Sequence, residues 1–228
     1  MDKRKQTVIS FAIVFAAIPL ITVAGLSLLG EESAAAVTAA VAVLACVPFF
    51  VSFEHGRNDA RRLMLVAVMV ALTVIGRLAF MHVQFVKPVA AMCIFAGMYL
   101  GPSSGFVTGA LTALISNIYF GQGPYTPFQM LAWGIVGFVA GLLSEKLNRS
   151  AILLAIYGAL AGVVYSLILD LWSAIWYGGT FQLSYFFMSV VTSLPYTAIY
   201  AVSNVVFLLL LKRPFGAALK RLGIKYGL

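Results

Sequence analysis

The sequence predicts an all-α polytopic membrane protein, and three observations carry that prediction. Hydrophobic residues make up 62% of the chain and charged residues 10%, where a soluble globular chain carries roughly 25% charged residues. The apolar residues fall into long runs of the kind that cross about 30 Å of hydrocarbon, which takes roughly 20 residues. The basic residues sit in the short connections between those runs, where they set membrane topology. That placement, rather than the formal charge of +8, excludes a nucleic-acid-binding reading.

Taken in order, the runs are Val8–Leu29, Ala34–Phe53, Leu63–Met81, Pro88–Leu100, Gly105–Phe120, Phe128–Leu143, Ile152–Tyr177 and Leu183–Leu211. Val8–Leu29 reads as a span rather than a cleaved signal, because no small-residue cleavage site leads into a soluble domain. Pro88–Leu100 is short and stops at Gly101-Pro102. It either crosses with its ends buried in protein or forms a re-entrant pair with the next run, and both options leave the ends of Pro88–Phe120 on one side. With the N-terminus inside, every basic residue except Arg77 and Lys87 is cytoplasmic, as are both termini. The reverse orientation exports nearly all of that charge. Glu31-Glu32, His82-Val83-Gln84, Gly121–Thr126 and Gly178–Gln182 then lie outside. Lys212–Leu228 reads as a basic amphipathic helix at the inner surface, serving anionic lipid headgroups or docking a cytoplasmic partner.

The stretch Lys87–Gly141 organises the chain. Gly97, Gly101, Gly105 and Gly109 follow one another at intervals of four, as do Gly137 and Gly141, a spacing that lets helix backbones approach closely in lipid. The stretch is broken by the polar, Pro- and Gly-rich loop Gly121–Gln129, the expected working surface. Cys46 and Cys93 lie inside apolar runs without metal-ligand spacing and read as inert core thiols. No Walker A loop, HExxH pair or GxSxG elbow occurs, so the sequence assigns no catalytic residue, metal or cofactor.

Charges within spans are costly and mark pairs or functional sites, and here they are Arg77 and Asp170. At about 1.5 Å per residue, Arg77 lies roughly 7–8 Å and Asp170 roughly 9 Å below the outer helix ends. They form a buried pair or line a pocket open to the outside. Asn117, Gln122, Tyr125, Gln129, Trp133 and Trp172 gather near the same outer ends. Aromatic faces with a few hydrogen-bonding groups are what a small-molecule pocket uses. The cytoplasmic halves of the spans carry almost no polar side chains, whereas a channel or alternating-access carrier marks a polar path to both sides.

From about Ala60 to Lys212, the residues RRLMLVAVMVALTVIGRLAF, KPVAAMCIFAGMYLGPSSGFVTGALTALISNIYFGQGPYTPFQM and GIVGFVAGLL resemble the S components of energy-coupling factor (ECF) vitamin transporters. The resemblance implies a six-helix S-component-like core, residues 57–214, preceded by a two-helix N-terminal membrane extension, residues 1–56, and followed by a basic cytoplasmic tail, residues 215–228. It further implies a substrate-binding subunit in a bacterial cell membrane that is not itself an enzyme. Such a subunit works with an ECF transmembrane coupling subunit and two cytoplasmic ABC ATPases, and topples in the bilayer to deliver its cargo. The family's AxxxA motif matches Ala67 and Ala71, with Ala12/Ala16 at the same spacing. The GQGPYTP stretch is most similar to cobalamin-type members. The residues expected to bind ligand, from their polar or aromatic character near one depth, are Arg77, Asn117, Gln122, Tyr125, Gln129, Trp133, Asp170 and Trp172. An S component for another vitamin or small micronutrient is the alternative within the family, and two other classes stand beside this reading. A lipid-directed membrane enzyme would lose turnover but not binding on mutation of Asp170, and a stand-alone secondary transporter would work on an ion gradient without any ATPase.

Overall fold

The structure is a computed structural model that describes residues 60–179 and 181–226, together with Ala40, Val43, Cys46 and Val47. The runs Val8–Leu29 and Ala34–Phe53, the two-helix extension they imply and Ala12/Ala16 lie outside the described residues, apart from those four positions. The described chain forms helices α1 (Ala60–Ala79), α2 (Val89–Leu100), α3 (Pro102–Phe120), α4 (Thr126–Leu142), α5 (Ser144–Arg149), α6 (Ala151–Gly178) and α7 (Leu183–Tyr226), with no strand. Three of them, α1, α6 and α7 as far as Leu222, are long and apolar enough to cross a membrane.

The short helix α2 is the centre of the bundle. It is apolar all round, which places a helix in an interior rather than on a surface, and every residue from Val89 to Met98 is buried. It touches α1, α3, α4 and α7. Twelve residues span only about 18 Å, yet both of its ends are fixed against α1. At one end Pro88 packs on Gly76, where an added Cβ would stand 2.8 Å from the proline ring. At the other, Arg62 donates from Nη2 to the Leu100 carbonyl at 2.8 Å and from Nε to Ser104 Oγ at 2.9 Å. So α2 runs antiparallel to most of α1 and traverses the bundle, rather than dipping in as half of a shallow re-entrant pair. The reversal into α3 uses Gly101 at φ +93°, a left-handed position that favours glycine, followed by Pro102 at the start of α3, where its missing N–H has no helical partner to lose.

The small-residue spacing then explains the packing of α2, α3 and α4. A Cβ on Gly105 would lie 2.4 Å from the Gly137 carbonyl oxygen, and one on Gly109 would lie 2.4 Å from the Trp133 carbonyl carbon. The helices are in backbone contact, as that spacing allows. The pair α6/α7 packs the same way, with Gly162 against the Ala201 backbone and Asn204 Nδ2 donating to the Gly158 carbonyl at 3.3 Å.

One difference from the sequence reading concerns the last span. The run Leu183–Leu211 continues without interruption to Tyr226, with Pro195 and Pro214 inside the helix. Its basic stretch is amphipathic, as expected, but protein covers the apolar face. Phe215 stacks on Phe95 at 5.9 Å and 9°, Leu219 is buried, and Leu222 packs on the same core, while Lys220 and Arg221 stay exposed. Because α2 is short, its Leu100 end would otherwise be uncovered, and this part of α7 fills the gap.

Candidate ligand-binding site

A cavity of about 470 Å³ opens at the end of the bundle where α1 finishes. Its lining comes from the α1–α2 loop (Gln84, Phe85, Lys87), from Arg77 and Met81, from Phe120 and Trp133, and from α6 and α7 (Tyr165, Ser166, Leu169, Asp170, Ser193, Tyr196, Tyr200). Its volume is within the range of small-molecule sites.

The aromatic wall is built across three helices. Trp133 of α4 stacks on Tyr165 of α6, centroids 5.3 Å apart and 14° from parallel. Tyr165 in turn leans on Tyr200 of α7 at 4.9 Å, and Trp133 Nε1 donates to Tyr200 Oη at 2.9 Å. One turn before Tyr200 on α7, Tyr196 packs on Phe85 at 4.5 Å. Phe85 is held at φ +60°, a strained conformation for a bulky side chain, and this aims its ring at the cavity wall.

Arg77 supplies the cationic pole and is nearly buried. It hydrogen-bonds to Ser116 Oγ and donates to Asn117 Oδ1 at 2.8 Å. Its guanidinium lies 4.4 Å from the Phe120 ring and 5.0 Å from that of Trp133, within cation–π range. Asn117 is fully buried and donates to Thr126 Oγ1 at 3.0 Å and Gln129 Oε1 at 2.8 Å. Gln129 passes the chain on, donating to Tyr165 Oη at 2.8 Å. A continuous polar network therefore fixes both the cation and the stacked wall. Lys87 adds a second cation, donating to the Phe80 carbonyl at 2.9 Å. Burial and the neighbouring Arg77 charge push its ammonium below the usual lysine range. Two cations and one carboxyl, Asp170, thus share the lining.

Arg77 and Asp170 stand on one cavity, at the common depth the sequence implies, but they form no ion pair with each other. Asp170 Oδ2 accepts instead from Ser193 Oγ at 2.8 Å, and Arg77 has no carboxylate partner among the described residues. Trp133 lines the cavity. Asn117 and Gln129 lie behind it and act by holding Arg77 and Tyr165. The expected loop residues are elsewhere. Gln122 Nε2 donates to the Leu114 carbonyl at 2.7 Å, Tyr125 Oη bonds to the Gly121 carbonyl, and Trp172 packs between Tyr125 and Trp176. The expected loop Gly121–Gln129 is helical from Thr126 onward, and none of its residues lines the cavity. The sequence reading missed Phe85, Tyr165, Tyr196 and Tyr200. Tyr165 and Tyr200 sit mid-run among apolar residues, and the phenol oxygen at that depth was the available signal. No group of three or more His, Cys, Asp or Glu side chains able to hold a metal occurs among the described residues.

Residues 57–221 match the family described as ECF-type riboflavin transporter, S component. The chain belongs to that family. This S component has an ECF transporter subunit's helical membrane body. No curated protein and no solved structure matches the chain. The cobalamin-type ligand implied by the GQGPYTP resemblance finds no support here, since the family name is a riboflavin one. The physical reason is in the geometry. No residue of the GQGPYTP stretch lines the cavity, and of the tryptophans Trp133, Trp172 and Trp176 only Trp133 does.

Proposed function

We propose that this chain is the high-affinity substrate-binding subunit of an ATP-driven ECF importer and that its ligand is a riboflavin-type tricyclic heteroaromatic. The observation that carries the reading is the Trp133–Tyr165–Tyr200 stack in the cavity lining, joined there by Phe85, Tyr196 and the Arg77 guanidinium. A flat ring system against aromatic faces gains stacking beyond its buried area, and Arg77, with no carboxylate partner among the described residues, suits electron-rich ring carbonyls. A cavity of about 470 Å³ accommodates such a ring. A corrin with its nucleotide loop is several times larger and would protrude far beyond the lining.

On this reading the cavity faces the cell exterior, as the placement of basic residues supports. The chain's own part is to bind, orient and desolvate the ligand. It carries no phosphate-cradling loop, so ATP hydrolysis falls to two ABC ATPases acting through a coupling subunit. The face for that subunit is Ala67/Ala71, both exposed on α1. The deciding experiment is to purify the protein in detergent and record the absorbance of whatever co-purifies. A yellow flavin spectrum with quenched protein fluorescence is expected. A red corrin spectrum, or no binding of added riboflavin at micromolar concentration, overturns the ligand assignment.

A further inference from the structure

A second cavity of about 440 Å³ lies between α6 and the first half of α7, lined by Asp170, Ser173, Tyr177, Tyr185, Met188, Ser189, Thr192, Ser193 and Tyr196. It shares Asp170, Ser193 and Tyr196 with the main cavity, so the two meet at the Asp170–Ser193 hydrogen bond. Its chemistry is different. The main cavity is aromatic and cationic, whereas this annex has hydroxyls and one carboxyl in its lining and no Lys, Arg or His. Several of those groups are unused. Thr192 returns its hydroxyl to the Met188 carbonyl and Ser193 donates its own to Asp170 Oδ2, but Ser173, Ser189 and Asp170 Oδ1 have no hydrogen-bond partner among the described residues. These groups lie within helices that cross the membrane, where an unmatched polar group is costly. They need hydroxylated company.

We propose that the annex is a subsite for the neutral, polyhydroxylated side chain of the ligand whose ring occupies the main cavity, with Asp170, Ser173 and Ser189 as its hydrogen-bonding residues. This rests on the functional reading above. Asp170 stands at the junction, where the first hydroxyl beyond the ring would donate to Oδ1. Ser173 and Ser189 offer both a donor and acceptor sites to hydroxyls further along. The annex also selects against a phosphorylated tail, because a phosphate there would meet a carboxyl and no cation to offset it. If the side chain instead pointed toward Arg77 and Lys87, a phosphate would be favoured.

The test is titration of the detergent-purified full chain with riboflavin, with lumiflavin, which has the same ring but a methyl group in place of the polyol, and with riboflavin 5′-phosphate. The expected order is riboflavin tightest, lumiflavin weaker and the phosphate weakest. Each hydrogen bond contributes up to roughly tenfold in affinity. Ser173→Ala and Ser189→Ala, at half-buried positions, should each weaken riboflavin about three- to tenfold while leaving lumiflavin unchanged. Asp170→Asn should narrow the gap between riboflavin and its phosphate. Equal affinity for riboflavin and lumiflavin, parallel loss of both in the serine variants, or tighter binding of the phosphate would overturn the annex and leave the flavin reading standing. Binding of none of the three overturns both.

Discussion

At the scale of single residues, the site depends on amides that do not touch the cavity. Asn117 accepts from Arg77 while donating to Thr126 and Gln129, so one side chain ties the cation to the wall. Asn117→Leu keeps the volume and removes all three bonds, leaving buried donors and acceptors unmatched at about 1–3 kcal/mol. The expected result is a lower thermal midpoint in detergent and weaker ligand binding. An unchanged midpoint would show that Arg77 finds another acceptor. Trp133→Ala, which removes the stacking face, should cut affinity far more than Tyr125→Phe, whose hydroxyl serves only the loop carbonyl of Gly121. Calorimetric titration of both variants checks this, and a larger effect at Tyr125 would return the loop to the site. Arg77, Asp170 and Trp133 were legible in the sequence because a charge or an indole in an apolar run stands out. Tyr165 and Tyr200 were not, because each face of the stack comes from a different helix and the pairing exists only after folding. That Gln122, Tyr125 and Trp172 lie outside the lining of this cavity was not legible either, since polar and aromatic residues near a helix end look the same whether they face a cavity or their own loop.

At the scale of elements, helices were legible wherever the apolar run was long, and α1, α3, α4 and α6 begin and end within a few residues of the expected limits. The far end of α7 was not. A run that turns basic after Leu211 reads as leaving the membrane, and only the shortness of α2 explains why that segment packs back on Phe95. Phe215→Ala should therefore destabilise the protein, by less than the roughly 1.5–3 kcal/mol of a fully buried aromatic because Phe215 is partly buried, while Lys220→Gln with Arg221→Gln, both exposed, should not. Thermal unfolding separates the two, and equal midpoints for Phe215→Ala and the wild type would place the segment on the surface after all. The glycine contacts make a stronger demand. Gly105→Ala or Gly137→Ala puts a Cβ 2.4 Å from a facing carbonyl oxygen, with no flexible side chain to move aside. Size-exclusion profiles of either variant should show little monodisperse protein.

At the scale of the whole molecule, the proposed function separates binding and coupling along the bundle. The cavity occupies the end where α1 finishes, and its walls come mostly from α6, α7 and the α1–α2 connection. Along α1, Leu65, Val66, Met69 and Val70 face the core, and Ala67 and Ala71 face away with Leu63, Met64, Val68 and Leu72. Small residues four apart leave a flat strip on which another helix backbone can lie, and this strip is remote from every residue of the cavity wall except through Arg77, six residues further along the helix. Ala67→Leu or Ala71→Leu should fill the strip and hold a partner helix away without disturbing the ligand. In proteoliposomes containing the coupling subunit, two ABC ATPases and internal ATP, uptake of labelled riboflavin should fall to background for both variants. Titration of the isolated variants should give wild-type affinity. Full uptake by both variants would move the coupling face elsewhere on the chain. Joint loss of uptake and binding would instead mean that α1 transmits bulk at Ala71 to Arg77, so that the two functions are not separated. Uptake by this chain alone on an ion gradient, without ATP, would overturn the division of labour itself.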